Sequence, residues 1–260
     1  MNINVQNVIV NYQVFGAGIP VLFLHGWGVD GSIFASLVKR FANSKYKVIV
    51  PDLPGFGLSD DPTGPWSVDD YANWTVDFIK ALGLDNQEII LVGHSFGGRI
   101  SIKLAARLEY TFNIKALVLT GAAGVHAKVR HKFRLKTFIY QQLKFLAKLD
   151  LVKKLFPYLE GQLARSFASE DYKKASPLMR ECLIKAVNEN LEPYLEKIYC
   201  ETLLLWGKND NATPLADGEL MAEKIVKSQL KVFDRSGHFA FRSQEEEFFN
   251  ELNKFLIVNS

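Results

Sequence analysis

Apolar residues in this chain gather in short, nearly unbroken runs: Val21–Leu24, Lys47–Val50, Glu88–Val92, Ala116–Leu119, Thr202–Trp206 and Leu230–Phe233. A strand buried on both faces has no polar side to show, so such runs predict parallel strands inside a covered sheet. From Met1 to Phe15 apolar and polar residues alternate, which predicts an antiparallel strand over Val8–Val14 and a short one over Ile3–Val5. Between these runs the period changes to that of a helix. Val68, Tyr71, Thr75, Phe78, Ile79 and Leu82 share one face, with Ser67 and Asp70 as a capping box and Gly83 as the C-cap glycine. Further helices are predicted over Phe96–Leu108 and Ala216–Ile225, and from a cap made by Ser243 with Glu246 toward Ile257. Strands and helices that alternate predict an α/β domain whose parallel sheet carries helices on both sides.

The alternation stops between Val125 and Lys197, where helical periodicity continues without a strand. Ser176–Pro177 reads as a helix start, followed by a stripe of Met179, Cys182, Leu183, Ala186 and Val187. The expected organisation is a core of residues 1–124 and 198–260 with a helical cap, residues 125–197, inserted over the sheet edge. Residues 125–160 hold seven lysines and two arginines against Asp150 and Glu160. Leu135, Ile139, Leu143, Leu146, Leu149 and Val152 fall at helical spacing there, which makes a basic amphipathic helix. Its charged face reads first as solvated surface, and second as a contact for an anionic lipid surface or an anionic substrate.

Composition narrows the function classes. The 260 residues suit one α/β domain with an insertion, and a net charge of +3 is too small to argue for a nucleic-acid partner. Cys182 and Cys200 make neither a disulfide framework nor a CxxC site. The first residues lack the basic and apolar regions of a signal peptide, and no apolar run approaches a membrane span, so a cytoplasmic location is expected.

The strongest chemical motif is Gly93-His94-Ser95-Phe96-Gly97, followed by Gly98. It lies between a buried strand and a helix. A sharp turn there presents the serine hydroxyl at the carboxyl edge of the sheet, with the first helical amides aimed at the same point. Serine needs a base, and His238 in Ser236-Gly237-His238 follows the last strand on the same edge. The base needs an acceptor, and Asp210 in Gly207-Lys208-Asn209-Asp210 stands in the chain order serine, aspartate, histidine. The alternative position after the preceding strand, Thr120–Gly124, has no carboxylate. The backbone amides of Trp27, in His25-Gly26-Trp27-Gly28, and of Phe96 are the expected oxyanion donors. Asp52–Ser59 reads as a structural turn, and Arg99 as a surface or buried-pair residue.

The order HGWG, DLPGFGLS, GHSFGG, GKND and SGH resembles the α/β-hydrolase superfamily over nearly the whole chain. The resemblance implies an eight-stranded, mostly parallel sheet and a Ser–His–Asp triad. It is nearest to small carboxylesterases and to ring-cleavage-product hydrolases that break carbon–carbon bonds. The expectation is acyl transfer to water on a small-molecule ester, with catalytic Ser95, Asp210 and His238 and no metal or organic cofactor. Phe133, Phe138, Tyr140, Phe145 and Phe156 would roof the acyl site or pack within the cap. A carbon–carbon bond hydrolase using the same residues, and a ligand receptor on the same fold, stay open beside the esterase. Substrate-binding residues and oligomeric state are not legible.

Overall fold

The computed structural model describes residues 1–41, 44–107, 112–125 and 169–259. Eight strands form one sheet: β1 (Asn2–Val5), β2 (Val8–Gly16), β3 (Ile19–Leu24), β4 (Tyr46–Pro51), β5 (Glu88–His94), β6 (Asn113–Thr120), β7 (Glu201–Gly207) and β8 (Ser228–Phe233). Their order is β1-β2-β4-β3-β5-β6-β7-β8. The β1–β2 and β2–β4 pairs are antiparallel, and every pair from β4 onward is parallel. Strand geometry sends neighbouring side chains to opposite faces. Leu22, Leu24, Ile89, Leu91, Leu117 and Leu119 therefore join one buried cluster, while Val21, Phe23, Ile90, Val92, Ala116 and Val118 join the other. That double burial is the cause of the unbroken apolar runs.

Helix α1 (Ala35–Lys39), reached through a 3-10 turn at Gly31–Phe34, links β3 to β4. Helix α2 (Val68–Ala81) has the expected capping box, with Ser67 accepting from the Asp70 amide and Asp70 from the Ser67 amide. Gly83 follows with φ +67°, the left-handed conformation that a glycine takes without steric penalty. Helix α3 (Phe96–Ala105) runs from the serine turn. Between β6 and β7 lie α4 (Glu170–Lys174), α5 (Pro177–Asn188) and α6 (Glu192–Leu195), and then come α7 (Leu215–Lys224), α8 (Ala240–Ser243) and α9 (Glu245–Val258). The short helices α1, α4, α6 and α8 were not individually predicted, because four or five residues are too few to show a period.

Two details differ from expectation. Ser243 does not cap the last helix. It ends α8, where its hydroxyl meets Ser236 Oγ and the Phe239 carbonyl, and α9 begins after Gln244 without a side-chain cap. Val187 leaves the buried stripe of α5 and is 50% exposed. The rest of that stripe is buried, and Ser176 caps it by accepting from the Met179 amide. The basic segment and the five aromatics named as a roof lie outside the described residues.

Helix α5 is fastened to the strand-bearing part of the molecule. Cys182 Sγ accepts from the Trp66 amide, and Leu191 just beyond the helix donates to the Gly124 carbonyl at 2.8 Å. Arg99 on α3 is buried and donates to the Glu189 carbonyl at 2.9 Å. Burial pulls its pKa down to about 10 against the opposing pull of Glu189, so it stays charged. One turn on, the buried Lys103 ammonium pairs with Asp69 and Glu189 and lies over the Tyr194 ring. Arg99 thus reads as a structural cation at the end of α5.

Candidate active site

The motif residues collect at the carboxyl ends of the parallel strands, where an open α/β sheet leaves its crevice. Ser95 sits between β5 and α3 with φ 52° and ψ −108°, a strained conformation for a side-chain-bearing residue. The turn holds because its neighbours are glycine. A Cβ on Gly93 would strike Ser101 Oγ and the Gly97 carbonyl, and one on Gly97 would strike the Leu24 carbonyl. Three backbone bonds fix the elbow: Ser95 donates to Thr120 O, Gly97 to His25 O, and Ala123 to Ser95 O.

The Gly97–His25 bond places the start of α3 beside the His25–Gly28 loop. The Trp27 and Phe96 rings meet edge-on at 5.1 Å. Among the described residues, neither the Trp27 amide nor the Phe96 amide donates a hydrogen bond. His25 locks the loop from beneath. Its Nε2 must accept from the Leu53 amide at 2.8 Å, so Nδ1 carries the proton and donates to Gly26 O at 2.8 Å. Asp52 completes the tie. Its Oδ1 accepts from the Gly31 amide, and its Oδ2 from the Leu58 amide and Asn11.

Asp210 and His238 come from the loops after β7 and β8. His238 Nδ1 lies 2.8 Å from Asp210 Oδ2, and the Asp210 side chain is wholly buried. Burial alone would raise the carboxyl pKa, but the His238 hydrogen bond and charge, with help from Thr213, hold it below the usual range. Asp210 is then ionised and can only accept, so Nδ1–H donates, and in the neutral imidazole Nε2 is the nitrogen with the lone pair. Gly121 lies between this pair and the elbow: a Cβ there would stand 3.1 Å from both Asp210 Oδ2 and His238 Nδ1. Its neighbour Thr120 is the residue that accepts from Ser95. Neither Ser95 Oγ nor His238 Nε2 makes a hydrogen bond among the described residues.

A family model described as the alpha/beta hydrolase fold matches residues 19–243. The chain belongs to the α/β-hydrolase fold family. This hydrolase is 28% identical over 263 residues to the 2-hydroxy-6-oxo-2,4-heptadienoate hydrolase of Pseudomonas putida, covering 95% of this chain and 92% of that one. It superposes with a TM-score of 0.74 on an esterase from Exiguobacterium antarcticum, at 26% identity and 98% coverage of both chains. A meta-cleavage product hydrolase from Pseudomonas fluorescens matches with a TM-score of 0.72 at 25% identity, covering 100% of this chain and 98% of that one.

Two residues of the candidate site escaped the sequence. Thr213 bonds to the Asp210 carboxylate, and only its spacing of three residues from Asp210 hinted at this. His94 is fully buried, donates Nε2–H to the His238 carbonyl at 3.1 Å, and packs its ring 4.7 Å from that of His238. Burial first, then the neighbouring His238, pushes its pKa down to about 3, and burial also lowers that of His25.

These two histidines predict acid sensitivity. Their folded values lie below the ordinary 6.5, so folding excludes protons that the unfolded chain would bind. The stability they contribute is complete above about pH 6.5 and is lost as pH falls toward the folded values. His94, with its folded value near 3, should subtract about 1.4 kcal/mol per pH unit in that window, and His25 acts in the same direction. Urea midpoints at pH 7 and 5.5 read the effect, and His94→Gln should flatten it. An equally steep loss in that variant would contradict the assignment.

Proposed function

We propose that this protein is a serine hydrolase that cleaves carboxylic esters of small or medium apolar acyl groups through an acyl-enzyme on Ser95. The observation that carries the proposal is the convergence at one sheet edge of the strained Ser95 turn, two undonated amides and an ionised Asp210 bonded to His238. In this reading His238 Nε2 takes the Ser95 proton as Oγ attacks the ester carbonyl. The Trp27 and Phe96 amides hold the tetrahedral oxyanion. His238 returns the proton to the leaving alcohol, then activates the water that frees the acid.

The apolar preference is supported by the cluster of Trp27, Phe56 and Phe96, whose rings meet at 4.9 to 6.4 Å beside Ser95. A cavity of about 360 Å³ opens next to Trp27, between the Gly55–Gly57 turn and the Asp171–Met179 segment. A larger one of about 740 Å³ lies along the first turn of α9 and holds none of the motif residues, so the proposal rests on side-chain chemistry rather than on volume. Residues 125–197 are taken as a cap over this edge, in line with the placement of α5 against the loop that contains Trp66.

The relatives include an esterase, a 2-hydroxy-6-oxo-2,4-heptadienoate hydrolase and a meta-cleavage product hydrolase, so a carbon–carbon bond hydrolase is the second reading. Steady-state assays with a p-nitrophenyl ester of a short acid and with a dienone substrate separate the two. The expected result is many turnovers per chain on the ester and a much lower kcat/KM on the dienone. The reverse ranking would overturn the esterase reading. Fewer than one turnover per chain on both would favour a receptor.

A further inference from the structure

The loop that carries Asp210 is built around Thr213. Asp210 Oδ1 accepts from the Ala212 and Thr213 amides at 2.8 and 2.9 Å, a turn that aspartate forms with its own following backbone. The Thr213 carbonyl accepts from the buried Trp206 indole at 2.8 Å. With its backbone held on both sides, the Thr213 side chain has one place to point. Its hydroxyl lies 2.9 Å from Asp210 Oδ2, 3.0 Å from the Gly121 carbonyl and 3.3 Å from His238 Nδ1. The residue is buried, so water does not replace any of these contacts.

A hydroxyl has one proton to give. Two oxygens 2.9 Å apart in a buried site repel unless a hydrogen lies between them, and a carboxylate is a stronger acceptor than a neutral carbonyl. The proton therefore goes to Asp210 Oδ2, the same oxygen that takes the His238 hydrogen bond. We infer that Thr213 is a positioning residue of the site: its hydroxyl shares Asp210 Oδ2 with His238, which orients the carboxylate and moderates its pull on the imidazole.

The inference rests on the proposed role of the Asp210–His238 pair, and its consequence is electrostatic as well as geometric. A donor on Oδ2 spreads the carboxylate charge and leaves less of it for the imidazolium. Removing that donor leaves a more basic carboxylate and a His238 that holds its proton to higher pH. The titratable side chains that face His238 among the described residues are Asp210 and His94, and His94 stays neutral through burial. The change therefore has to come through Asp210.

The test uses the full-length protein with isotope-labelled histidine. The His238 pKa is read by NMR in the resting wild type, in Thr213→Val and in Thr213→Ser. Valine matches the shape of threonine without the donor, and serine keeps the donor. The expected result is a His238 pKa raised by roughly half a unit or more in Thr213→Val and unchanged in Thr213→Ser. In turnover, Thr213→Val should lower kcat about 3–10-fold with KM unchanged, as for one lost hydrogen bond. Its acid limb should move to higher pH, and Thr213→Ser should restore both. If Thr213→Val does not fold, Thr213→Ala carries the same measurement. An unshifted or lowered His238 pKa in a folded variant without the hydroxyl would overturn the inference, and so would a shift that serine does not reverse. The NMR titration needs no turnover, so a protein inactive on esters would sink the esterase reading and leave this test intact.

Discussion

Replacing Ser95 with alanine is expected to lower ester turnover on the order of 10³-fold or more while leaving the protein folded. The first half follows from the proposed covalent step, because without Oγ no acyl-enzyme can form and what would remain is binding plus the proposed oxyanion amides. The second half follows from the geometry. Ser95 Oγ makes no hydrogen bond among the described residues, and the bonds that hold the elbow are backbone ones that alanine keeps. A fluorophosphonate probe should add its mass to the tryptic peptide that contains Ser95, and Ser95→Ala should abolish the addition. Labelling of a different serine, or near-normal turnover in the variant, would refute the assignment. A variant that loses activity only because it unfolds would show itself in a lowered thermal midpoint.

Asp210→Asn is expected to lower kcat on the order of 10⁴-fold with little change in fold. The surrounding donors decide which way the new amide faces. Oδ1 accepts from the Ala212 and Thr213 amides, so the asparagine oxygen must stay there and the NH2 must take the place of Oδ2. That NH2 then points at His238 Nδ1, which has to accept. The ring proton moves to Nε2, and the imidazole no longer has the Nε2 lone pair that the proposed proton transfer from Ser95 needs. The nitrogen shifts of His238 report the tautomer directly, and kcat at neutral pH reports its effect. An Asp210→Asn protein that retains most of its activity, or whose Nε2 stays unprotonated, would mean that the acid lies elsewhere.

The parts of this molecule that were legible beforehand share a physical property: their signal is local. Leu22, Leu91 and Leu119 belong to runs that stay apolar because each strand buries both faces, and the sheet forms around those runs. Ser95 could be located because a sharp turn tolerates only small flanking residues, which leaves glycines at 93 and 97 in the sequence. The pairing of Asp210 with His238 across 28 residues was reached through chain order and the shared strand edge. The capping at Ser243 failed for the opposite reason. A serine followed by a glutamate three residues on suits a cap, but the hydroxyl found partners in Ser236 and Phe239 from a loop that no local pattern reveals.

By itself the sequence determined the alternation of strands and helices, the fold class and the set of residues able to meet at the carboxyl edge. Periodicity, turn chemistry and motif spacing are all properties of neighbours along the chain. The tertiary structure alone decided what those residues touch. It set the strand order that brings Gly121 between Ser95 and the Asp210–His238 pair, the burial that keeps His94 neutral, and the hydroxyl of Thr213 on Asp210 Oδ2. Desolvation and hydrogen-bond competition depend on atoms far apart in the chain, and only packing brings those atoms together.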